Sequence, residues 1–208
     1  MTQQFSAALP AAPDRETYEQ IYRLLDEVTP LAEDCGKLCG KLCCQPDRPD
    51  TGIYLFPGEE AMFRKDETWL TWTSQQAEEY DFPPSWRGTV YFVRCRGICP
   101  RHSRPLQCRF FPLTAHYLPD GHLAIIWETL SLPYCCPLLT GAYPLRQDFV
   151  LAVAEAWRRL VGFSLVRDLV RWDSRQRGKA AKKLVFWKHP VTGQTSVAGK
   201  IVKIVGRV

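Results

Sequence analysis

The side chains with the most chemistry to offer in this 208-residue chain are its nine cysteines, and they are clustered. Cys35, Cys39, Cys43 and Cys44 lie in CGKLCGKLCC; Cys95, Cys99 and Cys108 lie in CRGICPRHSRPLQC; Cys135 and Cys136 precede Pro137. Thiolates are soft donors that take zinc, iron or iron–sulfur clusters in preference to magnesium or calcium. If the first cluster is helical, steps of four put Cys35, Cys39 and Cys43 on one face, close enough for two of them to share an ion. Gly36 and Gly40 weaken such a helix and can instead turn the backbone so that amide N–H groups point at sulfur. A single cysteine is ordinarily a small buried hydrophobe, a reading that stays open for one of Cys135 and Cys136. Four thiols within ten residues, beside Lys37 and Lys41, make little sense as core packing. The number of sites and the grouping of the ligands stay open on spacing alone.

Five arginines, Arg94, Arg96, Arg101, Arg104 and Arg109, crowd the second group. Guanidiniums beside a thiolate-rich centre offset its negative charge and favour the deprotonated, loaded state. They can equally grip a carboxylate or phosphate in bidentate fashion, which makes Arg104 and Arg109 the candidates for holding a cofactor. Others of the five are solvated loop charges on this reading, and His102 reads as an exposed loop residue, with a nitrogen ligand as the alternative.

A cysteine run ending in Cys43-Cys44 is followed by Cys95, Cys99, Arg104-Pro105, Cys108-Arg109, Phe111-Pro112 and Cys136-Pro137. In this order the chain resembles the YkgJ-type cysteine-cluster family, a zinc- or iron-chelating domain, over residues 35–140. The resemblance implies a metal centre of zinc or iron, or an iron–sulfur cluster, with Cys35, Cys39, Cys43, Cys44, Cys95, Cys99, Cys108 and Cys136 as ligands. The chain departs from the pattern in its three-residue gaps within the first cluster and in having His102 where the family has Tyr. Flagellin lysine methylases look like longer relatives of the same pattern, so a metal-dependent lysine N-methylase-like enzyme is the catalytic alternative. The sequence has no Gly-rich nucleotide loop, HExxH, GxSxG or CxxxCxxC, and a metal-binding protein of unassigned role stands first.

The elements that must position these thiols are short. Residues 1–13 read as a loose end. A helix from Asp14, its N-cap, carries Tyr18, Ile21, Tyr22, Leu25 and Val28 on one stripe and stops before Pro30. Ile53 to Phe56 is a short apolar run before a helical turn at Pro57, and Thr68 to Thr73, Thr89 to Cys95 and Leu123 to Leu130 read as strands. Leu145, Phe149, Ala152, Val153, Ala156 and Leu160 mark an amphipathic helix, and Leu165, Leu169 and Trp172 a second helical segment. Beyond Gly178, HPVTGQTS suits the turn of a terminal hairpin. The expected architecture is one α+β domain over 14–177, with an irregular, metal-pinned middle between amphipathic helices, and a basic β tail over 178–208.

With 46% hydrophobic residues, seven Trp, eight Tyr and ten Phe, the chain can build a core, which excludes global disorder. The N-terminus lacks a basic region followed by a long apolar one, and no stretch reaches the ~18 uncharged apolar residues of a membrane span. A cytoplasmic, soluble protein is expected, and in a reducing compartment clustered cysteines bind metal rather than cross-link. The net charge of +5 is uneven: residues 171–208 hold ten Lys/Arg and one Asp. Arg175, Arg177, Lys179, Lys182 and Lys183 lie beside Trp172, Phe186 and Trp187, a mixture that suits nucleic acid or another polyanion as a partner through 171–208. The competing reading is a solvated charged face.

Overall fold

Asp14 caps the first helix as its sequence predicts, its carboxylate accepting the Thr17 N–H at 2.9 Å. The computed structural model describes residues 9–44, 52–97, 99–129, 131–132, 134–140 and 142–179. Helix α1, Arg15–Asp26, buries Tyr18, Ile21, Tyr22 and Leu25, the period-3.6 stripe of the sequence, and ends four residues short of Pro30. It packs against α4, Gln147–Leu160, which buries Phe149, Val153, Ala156 and Leu160. A further helix, α5, spans Ser164–Lys179, two residues past the expected domain boundary. Its first N–H groups are satisfied from the other end of the chain, Ser164 by the Pro10 carbonyl at 2.9 Å and Leu165 by Ala11 at 3.0 Å. Residues 10 and 11 therefore belong to the domain rather than to a loose end. Residues 1–8 and the expected terminal hairpin lie outside the described residues.

Two antiparallel sheets complete an α+β domain. In the larger one, β3, Thr89–Cys95, lies between β1, Ile53–Tyr54, and β2, Leu70–Gln76. The β2–β3 register runs from Leu70 opposite Cys95 to Gln76 opposite Thr89. The smaller sheet is a hairpin of β4, Leu113–Tyr117, and β5, Leu123–Trp127. The sequence places β3 at its observed bounds, starts β2 two residues early and ends it three early, runs β5 three residues long and leaves β4 unmarked. Four consecutive residues of β4, Leu113 to His116, are buried, so it has none of the alternation that marks a half-exposed strand. The usable signal was the following Pro-Asp-Gly turn, closed by Gly121 N–H to the Leu118 carbonyl with Gly121 at φ 82°.

The core lies where α1, α4 and the β4–β5 hairpin meet, with Tyr18, Ile21, Leu106, Phe110, Ile125, Ile126, Phe149 and Leu160 at its centre. Trp157 packs edge-on against Phe56, with ring centroids 5.5 Å apart, and lies 4.9 Å from Phe110. Phe110 ends a short helix, α3, Leu106–Phe110, which carries Cys108 in its middle. The thiol site is thereby anchored to the core. Among the described residues no helix is long and apolar enough to cross a membrane.

Candidate metal centre

Two buried ionic groups hold the cysteine-bearing segments in place. Glu59, in the turn Glu59–Met62, is completely buried. It accepts from the Tyr22 hydroxyl at 2.8 Å, the Phe56 N–H at 2.9 Å and the Leu106 N–H at 2.8 Å. The last of these bonds satisfies the first turn of α3 from 47 residues away, tying the helix of Cys108 to α1. Burial pushes the Glu59 carboxyl up, against the pull of its three donors and of Arg109.

Arg109, next to Cys108, commits all five of its N–H groups. Nε donates to the Arg104 carbonyl at 2.7 Å, and Nη1 donates to the Tyr22 carbonyl at 3.2 Å and to Asp26 Oδ1 at 2.7 Å. Nη2 donates to the Arg101 and His102 carbonyls at 3.3 and 2.5 Å, and the guanidinium lies 4.4 Å from the Tyr22 ring centroid. Arg109 is 8% exposed and has no donor left for a ligand. It is a structural residue, not the cofactor-holding one expected from the sequence, and its task is to clasp the 101–104 loop onto α1.

The first cysteine cluster is not one helix. Cys35 precedes a single turn, α2, Gly36–Cys39, which Gly40 closes in the left-handed region at φ 62° with its N–H on the Gly36 carbonyl. Lys41 is also left-handed, at φ 58°, and a second turn, Leu42–Cys44, follows. The expected single face of Cys35, Cys39 and Cys43 is thereby broken: Cys35 and Cys39 stay on one turn and Cys43 and Cys44 move to the next. Gly40 is the residue that permits the break, since a side chain is disfavoured at positive φ.

That break turns Cys44 toward the second group. The side chains of Cys44, Cys95 and Cys99 interact in series with Cys95 in the middle, and Cys43 Sγ lies 3.7 Å from Cys44 Sγ. Cys95 is fixed at the end of β3 and Cys108 within α3, and the charges of Cys44 and Cys99 act on Cys108. Hydrogen bonds from the Cys43 and Cys95 thiols pull Cys44 down to about 3, helped by the Arg104 and Lys41 charges and opposed by burial. Cys99 is pulled to about 7, first by the Cys95 thiol and then, against burial, by Arg104. Cys43 and Cys95, the donors in these bonds, are pushed up, and burial followed by the Cys44 and Cys99 charges pushes Cys108 up to about 12. Burial, then the Asp34 charge, pushes Cys35 up, with Arg104 pulling down and the Cys136 and Cys39 charges adding; burial also pushes Cys136 up, with the Cys39 charge adding. Tyr134 is raised by burial and then by the Cys43, Cys136, Cys108 and Cys44 charges. Cys135 is exposed.

Arg104 is the guanidinium that faces these thiols. It hydrogen-bonds with Cys99, and its charge acts on Cys35, Cys44, Cys99 and Cys108. Burial works against its protonation, but the Cys99, Cys44 and Cys108 charges outweigh burial and raise it, and its Nε is buried without a hydrogen-bond partner. Arg96 instead donates to Thr71 Oγ1 at 3.0 Å, and Arg101 donates to the Val28 carbonyl. His102 is exposed, as expected.

The donor set suits a soft metal: all nine thiols are free. The Cys43–Cys44 separation of 3.7 Å also matches the sulfur–sulfur edge of about 3.8 Å that tetrahedral zinc–sulfur bonds of roughly 2.3 Å require. Among the described residues no three His, Cys, Asp or Glu side chains form a group that could hold a metal ion. Sequence reasoning missed Glu59, Tyr22, Asp26 and Tyr134, which frame the site. Of these only Glu59 gave a signal, as an acidic residue opening a turn. Comparison with family models, curated proteins and solved structures finds no match to this chain.

Proposed function

We propose that this protein binds zinc or iron, the latter alone or in an iron–sulfur cluster, through a thiolate centre built from Cys44, Cys95, Cys99 and Cys108. Cys43 adjoins Cys44, and Cys35, Cys39 and Cys136 form a second donor set. The supporting observation is that thiols of the 42–44 turn, the loop after β3 and α3 share the charge of one guanidinium, Arg104, while Cys95 at the end of β3 interacts with Cys44 and Cys99. The resemblance to the YkgJ-type pattern points the same way, and nine free thiols suit a reducing compartment. A bound ion supplies a cross-link between these segments and a soft Lewis-acid or electron-storing centre. Around it Arg104 offsets thiolate charge, while Glu59 and Arg109 keep the Cys108 helix and the 101–104 loop in register.

Single Ser substitutions test the assignment. Cys44→Ser, Cys95→Ser, Cys99→Ser and Cys108→Ser each lower the metal-to-protein ratio and the thermal midpoint together, because binding energy at a site joining distant segments is folding energy. Cys135→Ser leaves both unchanged. Equal metal content in all five variants would remove the assignment.

A further inference from the structure

Helix α5 carries a feature unrelated to the thiols. Arg167, Arg171 and Arg175 recur at steps of four. Each step rises about 6 Å and rotates by only about 40°, so the three make one ridge along the helix. Their neighbour Arg177 is committed, donating to Thr129 Oγ1 at 3.1 Å and to the Ala115 carbonyl at 3.2 Å, with Glu128 at 3.6 Å. The ridge arginines differ. Among the described residues none of them forms an ion pair, and Asp168, the acid that shares their side of the helix, forms none either.

Two of the three are held against aromatic rings instead: Arg171 lies 5.5 Å from the Tyr117 ring centroid, and Arg175 lies 5.6 Å from that of Trp172. Between ridge and sheet, two buried polar atoms, Arg167 Nε and the Tyr117 hydroxyl, have no hydrogen-bond partner. Both can donate, and buried donors without partners are uncommon in folded proteins. The sequence beyond α5, residues 180–208, adds six Lys/Arg and no Asp or Glu.

We propose that the outer face of α5, with Tyr117 of β4, is a docking surface for single-stranded nucleic acid. Regularly spaced, pre-positioned guanidiniums with unmatched donors fit a phosphodiester backbone, and the adjoining aromatic rings offer faces on which unpaired bases stack. A membrane surface fits less well, because surface helices insert an apolar face. Here Val166 and Val170 are buried in the core and Leu165 and Leu169 pack beside Trp86. Phosphates and base faces do not report the 2′-hydroxyl, so RNA and DNA strands bind alike.

The test uses the full chain and fluorescently labelled mixed-sequence 20-mers of single-stranded RNA and DNA, titrated by anisotropy at several salt concentrations from about 50 to 200 mM. Both strands bind, with affinity falling as salt rises. Replacing Arg167, Arg171 and Arg175 together with Gln weakens binding at least ten-fold. It also lowers the slope of log affinity against log salt by about 2, three contacts at roughly 0.7 each for a single strand. Replacing the same three with Lys preserves the slope. Arg175→Gln alone, at an exposed position, lowers the slope by about 0.7 and keeps the test valid if the triple variant does not fold. The proposal is overturned if neither strand binds at the lowest salt, if the Gln variants keep the wild-type slope, or if the chain binds vesicles containing phosphatidylserine but not the oligonucleotides. Metal content, measured in parallel, stays at the wild-type value in the Gln variants, which separates this surface from the thiol centre.

Discussion

Arg109→Lys keeps the charge and removes the fork. An ammonium has three donors on one atom; placed near Asp26 and the Tyr22 carbonyl it cannot also reach the Arg101, His102 and Arg104 carbonyls. A hydrogen bond from a charged donor contributes roughly 1.5–3 kcal/mol, and an unsatisfied buried acceptor costs a similar amount. Arg101 and His102 are exposed and Asp26 is 36% exposed, so water recovers part of the loss. About 1 kcal/mol for each of the three carbonyls is the appropriate discount, giving a total near 3 kcal/mol. In urea, with a slope of about 2 kcal/mol per molar, the midpoint falls by roughly 1.5 M. The assay is helix loss followed by circular dichroism with a chelator present, so that the shift reports the arginine's own bonds rather than a departing metal. Arg104→Lys, whose parent makes no comparable set of backbone bonds, stays within about 1 kcal/mol of wild type. If Arg109→Lys stays within about 0.5 kcal/mol of wild type, the clasp of the 101–104 loop onto α1 is not what holds Cys99 and Cys108 in place.

Two further predictions address backbone and charge. Gly40→Ala forces a side chain into the left-handed turn, costs about 1 kcal/mol in the same urea assay and displaces Cys43 and Cys44 enough to lower metal content; unchanged content would show that the turn is not needed for the site. Asp173 is raised to about 6 from an ordinary 3.8, by burial first, with Arg177 pulling down and Glu128 and Asp81 pushing up. A raised carboxyl favours the fold below its unfolded value and loses that contribution as pH climbs through its folded value. Asp173→Asn, fixed in the neutral state, therefore gains about 1 kcal/mol on wild type at pH 7.5 and no more than a few tenths at pH 4, after discount for partial exposure. Equal gains at both pH values, read from urea midpoints, would contradict the burial of its charge.

Residue type and period made α1, α4 and β3 legible, because Asp14 advertises a cap, Phe149 to Leu160 a stripe and Thr89 to Cys95 a β-rich run between turns. Strand β4 was not legible, since a segment buried on both faces has no period to read. At the site, the spacing of the cysteines showed that thiols matter but not which of them meet. A left-handed pair at Gly40 and Lys41 decides that Cys44 faces Cys95, and no count of intervening residues contains that angle. Arg104 and Arg109 look interchangeable in sequence, each beside a proline or cysteine of one loop. Packing separates them: one reaches α1 and is fully bonded, whereas the other points into the thiols with a free Nε. The burial of Glu59 was not legible for a related reason, since one of its partners, the Leu106 N–H, lies 47 residues along the chain.

Metal in the thiol centre is tested most directly by anaerobic purification followed at once by absorption spectroscopy and elemental analysis of the same sample. Zinc or iron is expected in stoichiometric amount, with a broad band near ~400 nm if iron is present with sulfide and a colourless protein if the metal is zinc. Protein that emerges free of both, takes up neither from solution and exposes all nine cysteines to a thiol reagent in its folded state would contradict that expectation.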